Sequence, residues 1–580
     1  MKITLENWEI ARVLQETADL LEIKGENTFK IRAIRMAADV VESYTESLSD
    51  IVYRGSKDLR DVPGIGEGLA KKIHEIATTG DTAERRALFE ELPRSLLEIL
   101  KLPGVGPKKV KAFYDQLKIA TVDGLEAAAR AQRLRHLPGF GEKTETKILA
   151  GIESYRRDQG RYPLWEIEPV AEALLAHLRA LPQVQRMEIA GSYRRRRETV
   201  ADLDILVSCA EAPTVMKHFV AYRQVKSVLL EGPTKTTVVF NSGLQVDLRV
   251  VEPESFAAAL VYFTGSKNHN IAMRDMAKRQ DLKVNEYGVF RLAGANEERL
   301  PTPSEKEVYS LLGLAYVPPE MRENTGELER AAQRQLPHLI TIKDILGDLH
   351  MHTVASDGKN SIMEMAEAAQ QRGLRYIAIT DHSKSTYVAN GLDEKRLLDH
   401  IKAIDQVNDT LEGIRVLKGL ECDIRPDGQL DIDNEVLAQL DVVLISIHSH
   451  MGMPREEMTD RILRAFANPY AHIFAHPTGR LVKQRDAYPI EMERVMEAAL
   501  HYKVALELDA FPTRLDLNDV YCRMAKERGV KLTIDTDSHM REHLVNVTYG
   551  INVARRAWLE KSDVLNTQPV GAFLKSLRHW

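Results

Sequence analysis

Apolar positions recur at intervals of three and four residues through the first 150 residues, as in WEIARVLQETADLLEI. Alanine, leucine, glutamate and lysine dominate this stretch, and both features are typical of amphipathic helices. The pattern changes near residue 163. A helix over 170–181 is followed by runs rich in β-branched residues, which predict strands: MEIAGSY, LDILVS, TTVVF and LQVDLRVV. The sequence therefore predicts a helical N-terminal region followed by an α+β domain.

The remainder of the chain divides in the same way. Residues 259–317 have the mixed pattern of a small unit, and residues 318–342 are polar and contain prolines, which is typical of a connection between domains. From residue 343 onward, apolar strand candidates such as YIAITDH, VVLISIHSH and KLTIDTDSH alternate with helices. That alternation predicts a barrel-like α/β fold with parallel strands, whose active site lies at the carboxyl ends of the strands.

Composition excludes several classes of protein. Of the 580 residues, 44% are hydrophobic and 28% are charged, as in globular proteins, and the three cysteines Cys209, Cys422 and Cys522 are far apart. A disulfide framework is therefore not expected. No apolar run reaches the roughly 18 residues that span a bilayer, and the first residues lack the apolar core of a signal peptide. We therefore expect a cytoplasmic protein in a reducing compartment, without a membrane partner.

Net charge says little about the partners of the protein, whereas the distribution of histidine indicates a metal site. The net charge is −6, so contact with nucleic acid must come from local geometry rather than from a large basic field. Histidine is concentrated near the C-terminus, where 13 of the 18 histidines lie from His338 onward. This concentration indicates metal ligation in the last part of the chain.

One short pattern occurs three times in the helical region: VPGIGEGLAKKI, LPGVGPKKVKAF and LPGFGEKTETKI. Two glycines allow a tight turn, and the helix that follows presents free N–H groups to a phosphate. A single copy would equally fit an ordinary helix turn, whereas three copies favour sequence-independent binding of the DNA backbone. The predicted DNA-binding glycines are Gly64, Gly66, Gly104, Gly106, Gly139 and Gly141.

Three carboxylates predict a metal site in the α+β domain. Asp202 and Asp204 are two residues apart on a predicted strand, so both face the same side, and Asp247 lies on another strand. Such a set suits Mg²⁺ or Mn²⁺, and two metal ions can activate a hydroxyl group and neutralise a leaving pyrophosphate. The D-x-D pattern alone often arises by chance, but Gly191-Ser192 about ten residues upstream makes it specific for a nucleotidyltransferase.

The segment YFTGSKNHNIAMR, taken with these motifs, closely resembles the family X DNA polymerases, and the resemblance runs from about residue 5 to about residue 317. It implies that Asp202, Asp204 and Asp247 are catalytic metal ligands, with Asp247 also the base near the primer 3′-hydroxyl. It further implies that Ser192 and Arg195 hold the triphosphate of an incoming deoxynucleotide. Tyr262, Phe263 and Gly265 would pack under its sugar, and Asn270 and Arg274 would reach the minor-groove edges of the new base pair.

The same resemblance raises a second chemistry in the N-terminal domain. Lys72 occupies the position of a catalytic Schiff-base lysine that removes 5′-deoxyribose phosphate, and Lys30 could hold the 5′-phosphate. Gly68 and Ile34, however, stand where active relatives carry a lysine and a tyrosine. A simple phosphate contact through Lys72 therefore remains an equal alternative.

Histidines and carboxylates follow successive predicted strands in the C-terminal part. The nine candidate metal ligands are His350, His352, Asp357, His382, Glu421, His448, His476, Asp537 and His539. Nine ligands exceed one ion, so we expect two or three Zn²⁺ or Mn²⁺ ions that generate hydroxide for attack on a phosphoester. The series resembles the polymerase-and-histidinol-phosphatase (PHP) domain. His450 fits the ligand series less well, and we expect it to contact the ligands rather than the metal ions.

The predicted fold is multidomain: helical helix-hairpin-helix domains, an α+β nucleotidyltransferase palm and thumb, and an α/β distorted-barrel PHP domain. We expect an N-terminal DNA-binding domain resembling the 8-kDa domain of the family at 1–85 and a helix-hairpin-helix domain at 86–158. The palm follows at 159–258, the thumb that binds the nascent base pair at 259–317, a linker at 318–342 and the PHP domain at 343–580.

The resemblance implies a monomeric polymerase that fills short gaps in DNA during base-excision repair, acting on gapped or primed DNA and deoxynucleoside triphosphates. It also implies a 3′–5′ exonuclease in the PHP domain, with action on abasic sites or damaged 3′ ends as a further implication. One alternative is a nucleotidyltransferase for a substrate other than DNA, fused to a small-molecule phosphatase. Another is a DNA-binding scaffold with inactive sites.

Overall fold

The protein is described here from a computed structural model that covers residues 5, 7–43, 48–55, 57–62, 64–102, 105–158, 160–293 and 296–577. The chain forms two compact units, Met1–Gln159 and Gly160–Trp580. Among the described residues, no helix is both long enough and apolar enough to cross a membrane.

The first unit is helical, as the three- and four-residue periodicity predicts. One face of each helix contributes to a single apolar core that includes Leu14, Ile76 and Phe113. Its helices are α1 (Asn7–Lys24), α2 (Thr28–Ser43), α3 (Leu48–Arg54), α4 (Glu67–Thr79), α5 (Ala83–Glu91), α6 (Leu96–Leu100), α7 (Pro107–Leu117), α8 (Val122–Arg130) and α9 (Glu142–Asp158).

The second unit begins with a five-stranded sheet in the order β2-β4-β7-β6-β5, in which only β4 and β7 run parallel. Helices α10 and α12 cover one face and bury Leu174 and Phe219 in its core. The elements are β1 (Tyr162–Pro163), α10 (Leu164–Arg179), β2 (Val184–Ile189), α11 (Gly191–Arg194), β3 (Thr199–Val200), β4 (Asp202–Cys209), α12 (Ala212–Val220), β5 (Val225–Glu231), β6 (Lys235–Phe240) and β7 (Gln245–Val250).

A smaller subdomain with a three-stranded antiparallel sheet follows. The segment predicted as a linker is itself folded here, because Leu328 and Ala331 are buried in the same core as Val308. Trp558, from the far end of the chain, joins that core. The elements are α13 (Phe256–Thr264), α14 (Lys267–Lys278), β8 (Leu282–Asn285), β9 (Gly288–Ala293), β10 (Asn296–Leu300), α15 (Glu305–Leu311) and α16 (Glu327–Ala332).

The last part of the chain is a seven-stranded parallel sheet in sequential order. A parallel bridge between Met351 and Ser538 joins its first and last strands, so the sheet is a nearly closed barrel. The elements are β11 (Gly347–Asp348), α17 (Ile362–Gln371), β12 (Tyr376–Ile379), α18 (Glu394–Asn408), β13 (Arg415–Asp423), α19 (Asn434–Leu437), β14 (Val442–Ser446), α20 (Arg455–Phe466), β15 (Ile473–Phe474), α21 (Met492–Tyr502), β16 (Ala505–Asp509), α22 (Asp519–Arg528), β17 (Leu532–Asp535), α23 (Val547–Arg556) and α24 (Val570–Ser576).

Candidate active sites

The three predicted carboxylates converge on two adjacent parallel strands of the five-stranded sheet. Asp204 on β4 is in register with Asp247 on β7, and Asp202 lies two residues before Asp204 on the same face. Burial raises the pKa of Asp204 to about 6, and the carboxylates of Asp202 and Asp247 add to the effect. Three carboxylates held this close repel one another, and a bound divalent cation would relieve that repulsion.

Cationic side chains already partly balance this charge. Lys235 Nζ lies 2.9 Å from Asp247 Oδ2, and Arg249 Nη2 lies 3.8 Å from the same oxygen. Arg249 lies on β7, the strand of Asp247, and Lys235 lies on the adjacent strand β6. The sequence reading did not identify them, although both lie at two-residue spacing from other residues of this face.

Gly191 brings the loop that carries Ser192 against the carboxylates. Its φ is +61°, and a Cβ at this position would lie 2.6 Å from Asp204 Oδ2. Only glycine allows the backbone to approach Asp204 this closely. Ser192, next in the chain, is therefore held beside the three carboxylates at the start of the short helix α11.

Arg195 links this loop to the segment around Gly265. Its Nη1 donates to the backbone carbonyl of Thr264 at 2.6 Å, and its Nε lies 3.1 Å from Glu323 Oε1. Burial lowers the pKa of Arg195. The arrangement brings the predicted triphosphate loop and the predicted sugar-binding segment into contact.

The remaining residues of the predicted nucleotide site lie on α13 and α14. Tyr262 and Phe263 are half-buried and meet edge to face, with ring centroids 5.2 Å apart. Asn270 Nδ2 donates to the carbonyl of Tyr262 at 2.6 Å. Arg274 is exposed one helical turn after Asn270, so both side chains share a face of α14.

In the helical unit, the predicted DNA-binding glycines begin helices. Gly66 and Gly106 are the N-caps of α4 and α7, and Gly141 immediately precedes α9. Gly64 and Gly139 have φ of +83° and +80°. No atom lies within 4 Å of a Cβ built at Gly66, Gly106, Gly139 or Gly141, so these backbones are open to a phosphate. Gly104 lies outside the described residues.

Lys72 and Lys30 converge on one carboxylate. Lys30 Nζ lies 2.7 Å from Glu84 Oε1, and Lys72 pairs with the other oxygen of Glu84. Glu84 is half-buried. Its burial raises the pKa of the carboxyl, but hydrogen bonds from the two lysines outweigh this effect, so the pKa lies below its ordinary value. A Cβ at Gly68 would meet no neighbour, and Ile34 is buried in the core.

All nine predicted ligands of the C-terminal barrel come together at the carboxyl ends of its strands. Their donor atoms form four overlapping groups, in each of which the atoms lie within 4.8 Å of one another. Glu421 is central: its oxygens lie 2.9 Å from His382 Nδ1, 2.9 Å from His476 Nε2 and 3.3 Å from His448 Nε2. At the outer side, Asp357 Oδ2 lies 3.4 Å from His539 Nε2 and 3.5 Å from His382 Nε2.

This donor set fits metal ions. Within the described part of the chain, the buried atoms His350 Nε2 and His352 Nδ1 have no hydrogen-bond partner although they point into the cluster. Burial and the neighbouring histidines lower the pKa of His352 to about 4. Burial and Arg514 lower the pKa of His476 to about 3. Both imidazoles are thus neutral at pH 7, which is the form that binds a metal ion.

Side chains that the strand-end pattern does not predict hold the predicted ligands in place. Glu507 accepts from His350 Nδ1 at 2.7 Å and from the backbone N–H of His476 at 2.6 Å. Asp423 accepts from the backbone N–H of His448 at 3.0 Å. Arg514 Nε lies 3.2 Å from Asp537 Oδ2. His450 is exposed and belongs to none of the four ligand groups among the described residues.

Comparison with known proteins agrees with this geometry. The chain matches the helix-hairpin-helix domain at 5–82, the SAM-like helix-hairpin-helix tandem at 96–154, the DNA polymerase beta palm at 161–286, the DNA polymerase beta thumb at 259–323 and the PHP domain at 348–511. It is 40% identical over 572 residues to the DNA polymerase/3′-5′ exonuclease PolX of Bacillus subtilis, covering 98% of this chain and 99% of that protein. The chain belongs to the PolX family of DNA polymerases. The multidomain fold, with its palm, thumb and PHP domain, is thereby confirmed.

Other relatives match parts of this PolX-family enzyme. A protein named "Probable phosphatase" from Caldanaerobacter subterraneus is 31% identical over 231 residues, which cover 38% of this chain and 86% of that protein. Crystal structures of Leishmania infantum polymerase beta in ternary gap and P/T complexes are 23% and 26% identical. They cover 41% and 40% of this chain, each with a TM-score of 0.27.

Proposed function

We propose that this PolX-family polymerase fills short gaps in DNA, as in base-excision repair, through Asp202, Asp204 and Asp247. The observation that carries the proposal is the register of Asp204 with Asp247 on parallel strands, beside the glycine that brings Ser192 close. The three carboxylates would hold Mg²⁺ or Mn²⁺, which activates the primer hydroxyl and neutralises the leaving pyrophosphate. Asp247 would accept the proton of the 3′-hydroxyl.

The residues around this centre would bind the incoming deoxynucleoside triphosphate. Ser192 and Arg195 hold its phosphates, because a hydroxyl and a guanidinium fit phosphate oxygens. Tyr262, Phe263 and Gly265 would pack under the sugar and discriminate against a 2′-hydroxyl. Asn270 and Arg274, on one face of α14, extend to the edges of the new base pair.

DNA would be held through its backbone by the helix-hairpin-helix turns. The open glycines Gly66, Gly106 and Gly141 each precede a helix of at least 11 residues, whose free N–H groups can bind a phosphate. This mode reads no base sequence, which suits an enzyme that acts on gaps in any sequence. The substrate would be gapped or primed DNA, bound by a monomer that works in the cytoplasm.

Lys30 and Lys72 would bind the 5′-phosphate on the far side of the gap. Their pairing with Glu84 supports this role, since a phosphate can take the place of the carboxylate. Lys72 is also the amine that would form a Schiff base with 5′-deoxyribose phosphate. Trapping with borohydride separates the two roles: a covalent DNA adduct that Lys72→Ala abolishes and Lys30→Ala retains indicates a lyase.

The PHP domain would carry the 3′–5′ exonuclease. Its nine predicted ligands would hold two or three Zn²⁺ or Mn²⁺ ions, which would supply a hydroxide for attack on the scissile phosphate. Glu507 and Asp423 keep His350 and His448 in the orientation that ligation requires. Arg514, beside Asp537, would stabilise negative charge on the phosphate. The same centre would also act as an endonuclease at abasic sites or process damaged 3′ ends.

One experiment tests both halves of the proposal. A gapped duplex with a labelled primer is incubated with Mn²⁺ and deoxynucleotides, and wild type, Asp204→Ala and His352→Ala are compared. We expect Asp204→Ala to lose extension but retain degradation, and His352→Ala to do the reverse. Loss of both activities in Asp204→Ala would contradict the assignment to two separate centres. Failure of wild type to add the templated nucleotide would instead favour a substrate other than DNA.

A further inference from the structure

Two loops at the rim of the histidine cluster expose apolar side chains to solvent. Val354 is 61% exposed, Tyr387 is 82% exposed and Val388 is 73% exposed. The first loop follows the ligand His352, and the second follows the ligand His382. A single exposed apolar residue is ordinary, but an aromatic and two aliphatic side chains on adjoining loops beside a catalytic centre are not.

Hydrogen bonds fix the two loops relative to each other. Arg396 Nη2 donates to the carbonyl of Ala355 at 2.6 Å, and Asn390 Nδ2 donates to the same carbonyl at 3.3 Å. Arg396 Nη1 also donates to the carbonyls of Asn390 and Gly391, both at 2.9 Å. The loop of Val354 and the loop of Tyr387 therefore form one surface.

The second loop is also closed at its base. Leu392 N donates to the carbonyl of His382 at 2.7 Å, and the backbone N–H of Ser385 donates to Asp431 Oδ2 at 2.8 Å. A Cβ at Gly391 would lie 1.9 Å from the carbonyl oxygen of Ser383, so the chain crosses itself closely there. Tyr387 and Val388 thus lie at the tip of an anchored loop, and their exposure is a property of its shape.

The distance along the chain limits how far this surface lies from the metal ligands. Val354 is two residues from His352, so their Cα atoms are at most about 7 Å apart. Tyr387 is five residues from His382, which limits that separation to about 18 Å. A strand whose phosphate lies on the ligands therefore brings the adjacent sugars and bases within reach of these side chains.

We propose that Val354, Tyr387 and Val388 form a stacking surface for the unpaired bases that flank the scissile phosphate at a DNA 3′ end. Unpaired bases have flat apolar faces, and exposed aromatic side chains bind such faces with little preference for sequence. Unpaired bases fit this surface because it is continuous with the phosphoesterase centre, where the scissile phosphate would be bound. The proposal rests on the exonuclease role given above to the histidine cluster.

The test uses the full-length enzyme with Mn²⁺ and two single-stranded oligonucleotides. One has an ordinary 3′ end, and the other carries tetrahydrofuran in place of the last two nucleosides, so it has the backbone without the bases. Tyr387→Ala is expected to lower kcat/KM on the ordinary strand by about 5- to 150-fold, the factor that loss of base stacking produces. The effect on the abasic strand is expected to be much smaller. Tyr387→Phe, which keeps the ring, should behave like wild type.

Control variants make the result specific. Leu500 is a partly exposed apolar residue near the end of α21, which leads into the opposite end of the barrel. Leu500→Ala should leave kcat/KM unchanged on both the ordinary and the abasic strand. If Tyr387→Ala reduces expression, Val388→Ser provides a second test of the same surface. An equal loss on both strands, or no loss on the ordinary strand, would overturn the proposal. If His352→Ala retained exonuclease activity, the assignment of the nuclease to the histidine cluster would fail instead.

Discussion

Arg556, the last residue of α23, donates a hydrogen bond from Nη1 to the backbone carbonyl of Arg195, at 2.9 Å. The same guanidinium lies 3.0 Å from Glu323 Oε1 and 2.7 Å from Asp519 Oδ2. Glu323 in turn pairs with the side chain of Arg195. Helix α23 therefore supports, through Arg556, the loop that we propose to bind the triphosphate of the incoming nucleotide.

Removing this support should weaken nucleotide binding. We expect Arg556→Ala to raise the KM for deoxynucleotide about 10-fold, since a hydrogen bond to or from a charged group contributes about 1.5–3 kcal/mol. The measurement is steady-state gap filling at saturating DNA. Exonuclease activity should be unaffected, and Arg494→Ala, which removes a half-exposed arginine paired with Asp460, serves as the matched control. An unchanged KM would show that the loop keeps its shape without Arg556.

Glu305 should link stability to pH. It accepts hydrogen bonds from Arg194 at 2.7 and 2.8 Å and from the fully buried Arg322 at 2.9 Å. Burial opposes ionisation, but the two arginines outweigh it and lower the pKa of Glu305 to about 2. Its stabilising contribution is therefore complete above the usual pKa of about 4.5 and is lost as the pH falls toward 2.

The Glu305→Gln substitution tests this linkage. At pH 7 it should lower the free energy of unfolding by about 3 kcal/mol, and the difference from wild type should shrink below pH 4.5. Denaturant titrations at several pH values measure it. Glu298→Gln, at an exposed ion pair with Arg291, should have little effect at any pH. A difference that stayed constant down to pH 3 would mean that the carboxylate charge is not the source of the stability.

The sequence carries the ligand positions because local periodicity determines them. Asp202 and Asp204 share a face through the two-residue repeat of a strand, and His350, His382 and His476 each follow a strand of a parallel barrel. These rules need no knowledge of tertiary contacts. All nine candidates of the PHP domain lie in one cluster because the carboxyl ends of parallel strands meet at one end of the barrel.

Contacts between distant segments could not be predicted in this way. Glu507 supports His350 across 157 residues of sequence, and nothing near Glu507 indicates that pairing. The polar composition of segment 318–342 predicts a linker. Three buried apolar residues, Met321, Leu328 and Ala331, nevertheless pack it into the thumb core, since only one face of a short helix must be apolar.

Glu507 should affect the metal affinity of the nuclease without affecting the polymerase. The Glu507→Gln substitution keeps the shape but removes the charge that orients His350, so we expect the affinity for Mn²⁺ to fall about 10- to 100-fold. Titration of exonuclease activity with Mn²⁺ and direct measurement of bound metal provide the readouts. Glu527→Gln, on the exposed side of α22, is the control. Unchanged metal content in Glu507→Gln would rule out this positioning role.

Gly191 should be essential for polymerisation and dispensable for the nuclease. In Gly191→Ala the new Cβ would lie 2.6 Å from Asp204 Oδ2, and the φ of +61° is unfavourable for alanine by about 1–2 kcal/mol. The loop must shift away from the catalytic carboxylates, so gap filling should fall by at least about 100-fold, as misplacement of about 1 Å does in active sites. Single-turnover gap filling and degradation of a single strand are measured on the same preparation.

Backbone strain and steric conflict can be separated with a second glycine. Gly313 has a similar φ of +74°, but no atom lies within 4 Å of the Cβ that alanine would add there. Gly313→Ala should therefore lower the free energy of unfolding, because alanine is unfavourable at positive φ, but it should retain polymerase activity. If both substitutions reduced gap filling equally, general destabilisation would account for the effect. Loss confined to Gly191→Ala would place the cause at the contact with Asp204, because strain alone is common to both variants.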